Sequence, residues 1–170
     1  SVQKTNDYMT AYGDTDCIYA TGEDYITPAA DVIKSRGITD CKIYGSNISP
    51  SVCQLIMDGQ VEACTGGEFV CGSLAVTLLI NYLDGNPIKD ADGTAPYFDN
   101  LTQFMVTAEN AEDFYEFLSD ENLATHTISD EEYQNLLVRN NPDVDYDYFY
   151  DFLTNYEENV YAKVEANAAQ

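Results

Sequence analysis

The stretch from Cys17 to Gly37 reads CIYATGEDYITPAADVIKSRG, and the chain repeats its pattern twice more. A short apolar run rich in strand-forming residues is followed by a small polar turn, and an amphipathic segment then ends at glycine. The second unit runs from Cys41 to Gly59 and the third from Val61 to Gly85. Alternating strands and helices favour a parallel sheet with helices packed on it. The sequence therefore predicts an α/β fold, a doubly wound and mostly parallel sheet with helices on both faces.

Start and stop signals place the elements of these units. Ser49 and Pro50 are typical of a helix start, because serine caps free amides and proline lacks the N–H that the first helical position leaves unpaired. Glycine ends the preceding helix at Gly37. A helix predicted over 69–83 is apolar almost all round, which indicates burial on more than one side. The other predicted elements of this part are a helix over 2–12 and strands over 17–20, 41–44, 61–65 and 101–107.

Beyond residue 108 the apolar pattern becomes helical, with spacings of three and four. Phe114 marks one helix, Tyr133 a second, and the row from Tyr146 to Val160 a third, with Pro142 between the last two. The sequence thus predicts an α/β lobe over 1–108 and an acidic helical C-terminal extension over 109–170.

The formal charge of −23 limits the partners of the chain. Such a charge repels phosphate backbones and anionic membranes, and the seven cations form no basic stripe. Sixteen of the 30 carboxylates lie between Glu109 and Glu165. They indicate a solvated helical surface or, as the alternative, a surface that binds a cationic partner. The longest apolar run, Leu74 to Ile80, is far below the roughly 20 residues that cross a bilayer. We expect neither nucleic-acid binding nor direct membrane insertion.

Motifs for catalysis or metal binding do not occur in the sequence. His126 is the only histidine, and no serine lies in a G-x-S-x-G motif. The acidic run that begins at Asp143 lacks the glycine and the glutamate that a calcium loop needs at its sixth and twelfth positions. We therefore expect a protein that is not an enzyme and that uses no metal and no cofactor.

Five cysteines are present without a C-x-x-C pair. Three of them, Cys17, Cys41 and Cys64, are expected at strand positions that face the core, where a free thiol behaves as a small hydrophobe. The odd count argues against a full disulfide framework. Reduced, buried thiols are the favoured interpretation, and a single disulfide or a metal site are the alternatives.

Polar side chains follow each of the first three predicted strands. They are Glu23, Asp24 and Tyr25 after the first strand, Ser46 and Asn47 after the second, and Gly67 and Glu68 after the third. Ligands of parallel sheets bind outside the carboxyl ends of the strands. Carboxylates and amides there suit a neutral, polyhydroxylated ligand, because each can pair with adjacent hydroxyls. For Asp24 and Ser46 the alternative role is helix capping. The candidates for an aromatic platform are Tyr25, Phe69 and Tyr97.

Five stretches within about residues 10–118 share their order and spacing with one known family. They are Ile18–Tyr25, Lys42–Asn47, Met57–Thr65, Gly72–Gly85 and Phe104–Asn110. On these residues the chain resembles the C-terminal lobe of type I periplasmic sugar-binding proteins. These are the ribose- and galactose-binding receptors of ABC transporters, and lactose-repressor-family regulators share their core. The resemblance implies a lobe with the fold of these binding proteins.

The resemblance also implies roles for the strand-end residues. Glu23 and Asn47 take the places of a ligand-binding asparagine and aspartate, and Gly67 or Glu68 lies near a ligand-binding glutamine. It further implies a small sugar ligand, an N-terminal partner lobe that this chain is expected to lack, and an ABC permease as partner. The implied location is extracytoplasmic, in the periplasm or lipid-anchored at the cell surface. The alternatives are the effector core of a lactose-repressor-like regulator and a carbohydrate-active enzyme on a flavodoxin-like sheet.

Overall fold

The computed structural model of the chain describes residues 2–13, 15–68, 70–120 and 127–169, which form four strands and eight helices. The strands are β1 (Cys17–Ala20), β2 (Lys42–Ser46), β3 (Ala63–Gly66) and β4 (Phe104–Thr107). The helices are α1 (Val2–Ala11), α2 (Glu23–Ser35), α3 (Pro50–Met57), α4 (Val70–Leu83), α5 (Ala111–Ser119), α6 (Asp130–Asn135), α7 (Tyr146–Thr154) and α8 (Tyr156–Ala168).

The strands form one sheet in the order β1-β2-β3-β4. β1 pairs in parallel with β2, from Cys17 opposite Lys42 to Ala20 opposite Gly45, and β2 pairs in parallel with β3. This confirms the predicted α/β fold, a mostly parallel sheet with helices on both sides. Because the pairing is parallel, the turns that leave β1 and β2 lie at the same edge of the sheet.

The described residues divide into two compact units. The first comprises those of Ser1–Gly66, Met105–Asp120 and Asn167–Gln170, and the second those of Gly67–Phe104 and Glu121–Ala166. The first unit holds β1 to β3, most of β4, and the helices α1, α2, α3 and α5, while the second holds α4, α6, α7 and most of α8. The functional division of the chain at residue 108 stays a prediction.

In the first unit, α2 packs on β1 and β2 because its apolar side chains share one face. Ile26, at the start of that face, has no exposed surface. Gly45 of β2 lies beneath it, and a Cβ at that position would stand 2.5 Å from Ile26 Cδ1. The absence of a side chain at Gly45 therefore sets how closely α2 approaches the sheet.

The other helices of the first unit have local and long-range anchors. Ser49 is the N-cap of α3, where its Oγ accepts from the Val52 N–H at 3.3 Å, and Pro50 occupies the first helical position as predicted. Arg36, at the end of α2, donates from its guanidinium to the Asn6 side chain at 3.0 Å and to Thr10 Oγ1 at 2.8 Å. These two bonds hold α1 against α2.

In the second unit, α4 is tied to the segment after α6 by a buried asparagine. The Asn81 side chain donates to the Leu136 carbonyl at 2.9 Å and accepts from the Val138 N–H at 2.9 Å. Both ends of this amide are thereby satisfied, as a side chain with no exposed surface requires. A separate aromatic contact joins the loop after α4 to the start of α7, where the ring centroids of Phe98 and Tyr146 lie 4.9 Å apart.

The prediction that α4 is buried on more than one side was wrong. Only one row along the helix is buried, consisting of Val70, Leu74, Thr77 and Asn81. Val76, Leu79, Tyr82 and Leu83 are between 54% and 72% exposed. The buried residues are spaced by three and four, so they cover a single face, and the described residues leave the opposite apolar face open to solvent.

The prediction of one continuous helix from Tyr146 to Val160 was also wrong, because the helix breaks at Asn155. The cause is Thr102, whose hydroxyl donates to the Leu153 carbonyl at 3.2 Å and accepts from the Glu157 N–H at 3.1 Å. The Thr102 side chain therefore forms hydrogen bonds with backbone groups on both sides of the break. The second helix then begins at Tyr156.

The prediction of reduced cysteines agrees with the structure, but the prediction that they are buried does not hold for all of them. None of the five, all of which are described by the structure, forms a disulfide. Cys41, Cys53 and Cys64 are buried, whereas Cys17 and Cys71 are exposed. Cys17 was expected to face the core. It lies on the exposed edge strand β1, whose side chains alternate between the two faces of the sheet.

Candidate functional site

The turn after β1 presents two carboxylates at the start of a helix. Glu23 and Asp24 occupy the first turn of α2, where the positive end of the helix dipole favours negative charge. The N-cap is Gly22, and no side chain caps the helix. The capping role considered for Asp24 is therefore wrong. Asp24 and Tyr25 are exposed and Glu23 is partly exposed, so all three can be reached from solvent.

The turn after β2 contains an unusual backbone conformation. Ser46 is the last residue of β2, and Asn47 follows it with a φ of 74°. Asn47 is the only non-glycine with a positive φ among the described residues. Such conformations cost energy and concentrate at functional sites. The capping role considered for Ser46 is wrong, since Ser49 is the N-cap of α3.

The turn after β3 combines a conformation that favours glycine with a partly buried carboxylate. Gly67 has a φ of 116°, which side chains rarely allow. Glu68 is partly exposed, and one of its carboxylate oxygens is buried. Both residues belong to the second unit, although they directly follow β3. Phe69, a candidate for the aromatic platform, lies outside the described residues, as does His126.

The first unit brings two of the three predicted turns together. Ala20 lies opposite Gly45, so Glu23–Tyr25 and Ser46–Asn47 leave neighbouring strands at the same edge of the sheet. Their grouping with Gly67 and Glu68 into one site stays a prediction. The third aromatic candidate, Tyr97, is 73% exposed, and its carbonyl accepts from the Tyr146 hydroxyl at 3.1 Å within the second unit.

Two cavities of the first unit lie at opposite ends of its strands. One of about 360 Å³ runs along β1 and is lined by Tyr8, Tyr19, Thr21 and Tyr25, among others. Tyr25 was predicted from the sequence as an aromatic surface, whereas Tyr8 and Tyr19 were not. The alternation of exposed side chains along β1 was the signal that could have identified Tyr19. It could not identify Tyr8, which reaches this cavity only because α1 packs on α2.

The second cavity, of about 290 Å³, was not predicted. It lies at the amino ends of β2 and β3, where Lys42 Nζ and Glu62 Oε2 are 2.7 Å apart. The hydrogen bond that Lys42 donates to Glu62, together with the negative charge of Glu62, raises the pKa of Lys42. Because both partners are exposed, this ion pair contributes little to stability.

The chemistry of the strand-end turns is that of hydrogen bonding. Carboxylate oxygens accept, and the asparagine amide both donates and accepts. The described residues contain no group of three or more histidine, cysteine or acidic side chains placed to hold a metal ion. None of the helices in the described part of the chain has the length and hydropathy of a membrane span.

Comparison with known proteins places these turns in a family context. The sequence profile of a family described as periplasmic binding protein domain matches residues 1–87. Among proteins of curated function, none is significantly similar to the chain in sequence.

Solved structures share the fold at low sequence identity. The periplasmic binding component of the arabinose ABC transporter from Shewanella sp. ANA-3, bound to arabinofuranose, is 21% identical with a TM-score of 0.57, over 72% of this chain and 40% of that one. A periplasmic sugar-binding protein from Pseudomonas fluorescens is 18% identical with a TM-score of 0.60, over 86% and 44%. An arabinose-binding protein from Geobacillus stearothermophilus is 19% identical with a TM-score of 0.53, over 67% and 40%. The matched region thus spans less than half the length of each of these proteins.

Proposed function

The chain belongs to the family of periplasmic binding protein domains, and from this we propose that it is a sugar-binding lobe of the solute-binding component of a carbohydrate ABC transporter. The family and the similar structures are binding proteins, and the structures named above bind sugars by their own descriptions. The observation that carries the proposal is the placement of two polar turns, one with the left-handed Asn47, at the carboxyl edge of β1 and β2.

The proposed site assigns each strand-end residue a part in holding hydroxyl groups. Glu23, Asp24 and Glu68 accept from sugar hydroxyls. The Asn47 amide donates and accepts, and so pairs with two adjacent hydroxyls. Three smaller contributions complete the site: the Ser46 hydroxyl adds a donor, Gly67 allows close approach of the ligand, and the Tyr25 ring offers an apolar face.

In the whole protein we propose that residues 1–108 carry this site and that a second lobe closes over the sugar. Binding then shifts an equilibrium between open and closed forms, which a permease recognises. The family supports an extracytoplasmic location, and we propose the periplasm or a lipid-anchored position at the cell surface. The family resemblance assigns the helical extension over 109–170 no role in this closure.

Titration by two-dimensional amide NMR tests the proposal on the chain itself. L-Arabinose, D-galactose, D-ribose and D-glucose are added in turn to the labelled protein. We expect at least one sugar to shift amides of residues 21–25, 45–48, 66–68, 70 and 71. The expected Kd is about 1 mM or weaker, because a single lobe buries only part of a ligand. Shifts confined to other regions, or none with any sugar, would contradict the proposed site.

Replacement of Asn47 by glycine tests the residue most central to the proposal. N47G removes the amide while keeping a residue that tolerates a φ of 74°. We expect about a tenfold weaker Kd for the sugar that binds, because one or two hydrogen bonds to it are lost, and little change in Tm. The control is N86G, the same change at an exposed asparagine of the loop after α4, which leaves the Kd unchanged. Equal affinity of N47G and wild type for the sugar would show that Asn47 does not contribute to the site.

A further inference from the structure

The turn after β3 carries two of the proposed ligand-binding residues, and α8 packs directly against it. A Cβ at Gly67 would stand 3.0 Å from Cε1 of Tyr156 and 3.8 Å from Cε1 of Phe104. The ring of Tyr156 therefore occupies the space beside the turn that a side chain at position 67 would need. The positive φ of Gly67 and this contact together make the local backbone conformation depend on α8.

Burial and aromatic packing hold the Tyr156 ring in place. The residue is 1% exposed, and its ring centroid lies 6.3 Å from that of Phe104 at an interplanar angle of 48°. Burial raises the pKa of Tyr156 to about 12, so the side chain is uncharged at neutral pH. Its hydroxyl is buried without a hydrogen-bond partner of good geometry among the described residues. The contact with the turn is thus made by the ring and not by the hydroxyl.

Two further anchors fix α8 within the second unit. At its start, the Glu157 N–H donates to Thr102 Oγ1 at 3.1 Å. One turn before its end, Lys163 Nζ donates to Glu132 Oε2 at 2.5 Å and to the Thr127 carbonyl at 3.1 Å. Glu132 also accepts from the Ser129 N–H in a capping box. A helix held at both ends presents Tyr156 in a fixed position.

Burial acts to raise the pKa of Glu132, but the hydrogen bonds from Lys163 and Ser129 outweigh it and the pKa lies below its usual value. The carboxylate is therefore charged at neutral pH, and the anchor at Lys163 is complete. Folding stability contributed by this group is present above the unfolded-state pKa of a glutamate and is lost as the pH falls through the lower folded-state value.

We infer that Tyr156 is a positioning residue for the ligand site, and that α8 acts through its ring to hold the Gly67–Glu68 turn in its binding conformation. The inference rests on the proposed function, since Glu68 is there a ligand-binding group. It gives the helical extension a part in recognition, because misplacement of a binding group by about 1 Å is enough to weaken an interaction strongly. The Phe104 ring packs against that of Tyr156 and also lies beside Gly67.

Three variants test this inference in the full chain. Y156A removes the ring, and Y156F removes only the hydroxyl. F149A is the matched control, because Phe149 is also 1% exposed and lies in the second unit, on α7. Amide hydrogen exchange is measured without sugar, and the Kd is measured with the monosaccharide that binds wild type.

We expect amides of residues 66–68, 70 and 71 to exchange about tenfold faster in Y156A at equal distance from its Tm, with no such change in F149A. The Kd should weaken about tenfold in Y156A, return to the wild-type value in Y156F, and stay within about twofold in F149A at a similar loss of Tm. If Y156A does not fold, Y156L, which keeps apolar volume without a planar ring, is expected to give the same pattern.

Two results would overturn the inference. One is unchanged exchange of residues 66–68, 70 and 71 in Y156A or Y156L, which would show that the ring does not hold the turn. The other is faster exchange with an unchanged Kd, which would show that the turn is held but does not matter for binding. If wild type binds no sugar, the proposed function fails together with the part of the inference that concerns binding, while hydrogen exchange still decides whether Tyr156 holds the turn.

Discussion

Cys53 lies in α3 with no exposed surface, and burial raises the pKa of its thiol to about 12. Burial likewise raises the pKa of Cys41, helped by the nearby Cys17 and Asp16. Because the thiolate is the reactive form, a buried thiol with a raised pKa reacts slowly. We therefore expect the cysteines of this chain to differ in reactivity according to their burial.

Thiol labelling at pH 7.5 is expected to divide the cysteines into two classes. Cys17 and Cys71, both exposed, should react within minutes, and the three buried cysteines should react only after unfolding in urea. Mass spectrometry of digested, labelled protein identifies which thiol has reacted. Labelling of Cys53 as fast as Cys17 in the folded protein would contradict the burial of the Cys53 thiol.

At the scale of secondary-structure elements, the contact between α2 and β2 depends on one missing side chain. G45A places a Cβ 2.5 Å from Ile26 Cδ1 and 3.0 Å from the Ala20 carbonyl oxygen. We expect a loss of about 1–3 kcal/mol in the free energy of unfolding, measured with urea, because overpacking forces neighbouring groups to move.

The matched control is G72A in α4, where a Cβ meets nothing within 4 Å and the helix should gain about 0.5–1 kcal/mol. I26V shortens the clashing side chain, so the double variant G45A/I26V should lose less stability than the two single changes summed. Additive losses, or equal stability of G45A and G72A, would show that Gly45 does not set the distance between helix and sheet.

Elements with local signals could be predicted from the sequence, and those with remote causes could not. The start of α3 follows from Ser49 and Pro50, which act on neighbouring backbone groups. The break between α7 and α8 depends on Thr102, about fifty residues earlier, and no periodicity within the helices reveals it.

The same distinction holds for the candidate site. The alternation of strands and helices was enough to predict that Glu23 and Asn47 lie at one edge of the sheet. The structure adds that they follow β1 and β2, which pair in parallel. The contact of Tyr156 with Gly67 joins positions far apart in the chain, and an aromatic stripe at helical spacing is read from sequence as ordinary packing. Side-chain contacts across such separations require coordinates.

At the scale of the whole molecule, 30 carboxylates against seven cations make self-repulsion a general cost of folding. We expect Tm to rise as NaCl increases from 10 to 100 mM, because the Debye length falls from about 30 to about 10 Å. Tetramethylammonium chloride should give the same rise if screening is the cause, since this cation forms no coordination site. A constant or falling Tm would contradict the electrostatic account.

The exposed apolar row on α4, from Val76 to Leu83, bears on how the protein behaves in concentrated solution. Above pH 6 we expect the large negative charge to keep molecules apart, so that the row stays hydrated and the protein stays dispersed. Near the isoelectric point of about 4.1 that repulsion vanishes while the hydrophobic row persists. Acidification should therefore bring isoelectric precipitation through this helix, and replacement of Leu79 and Leu83 by lysine or glutamate should keep the acidified protein dispersed.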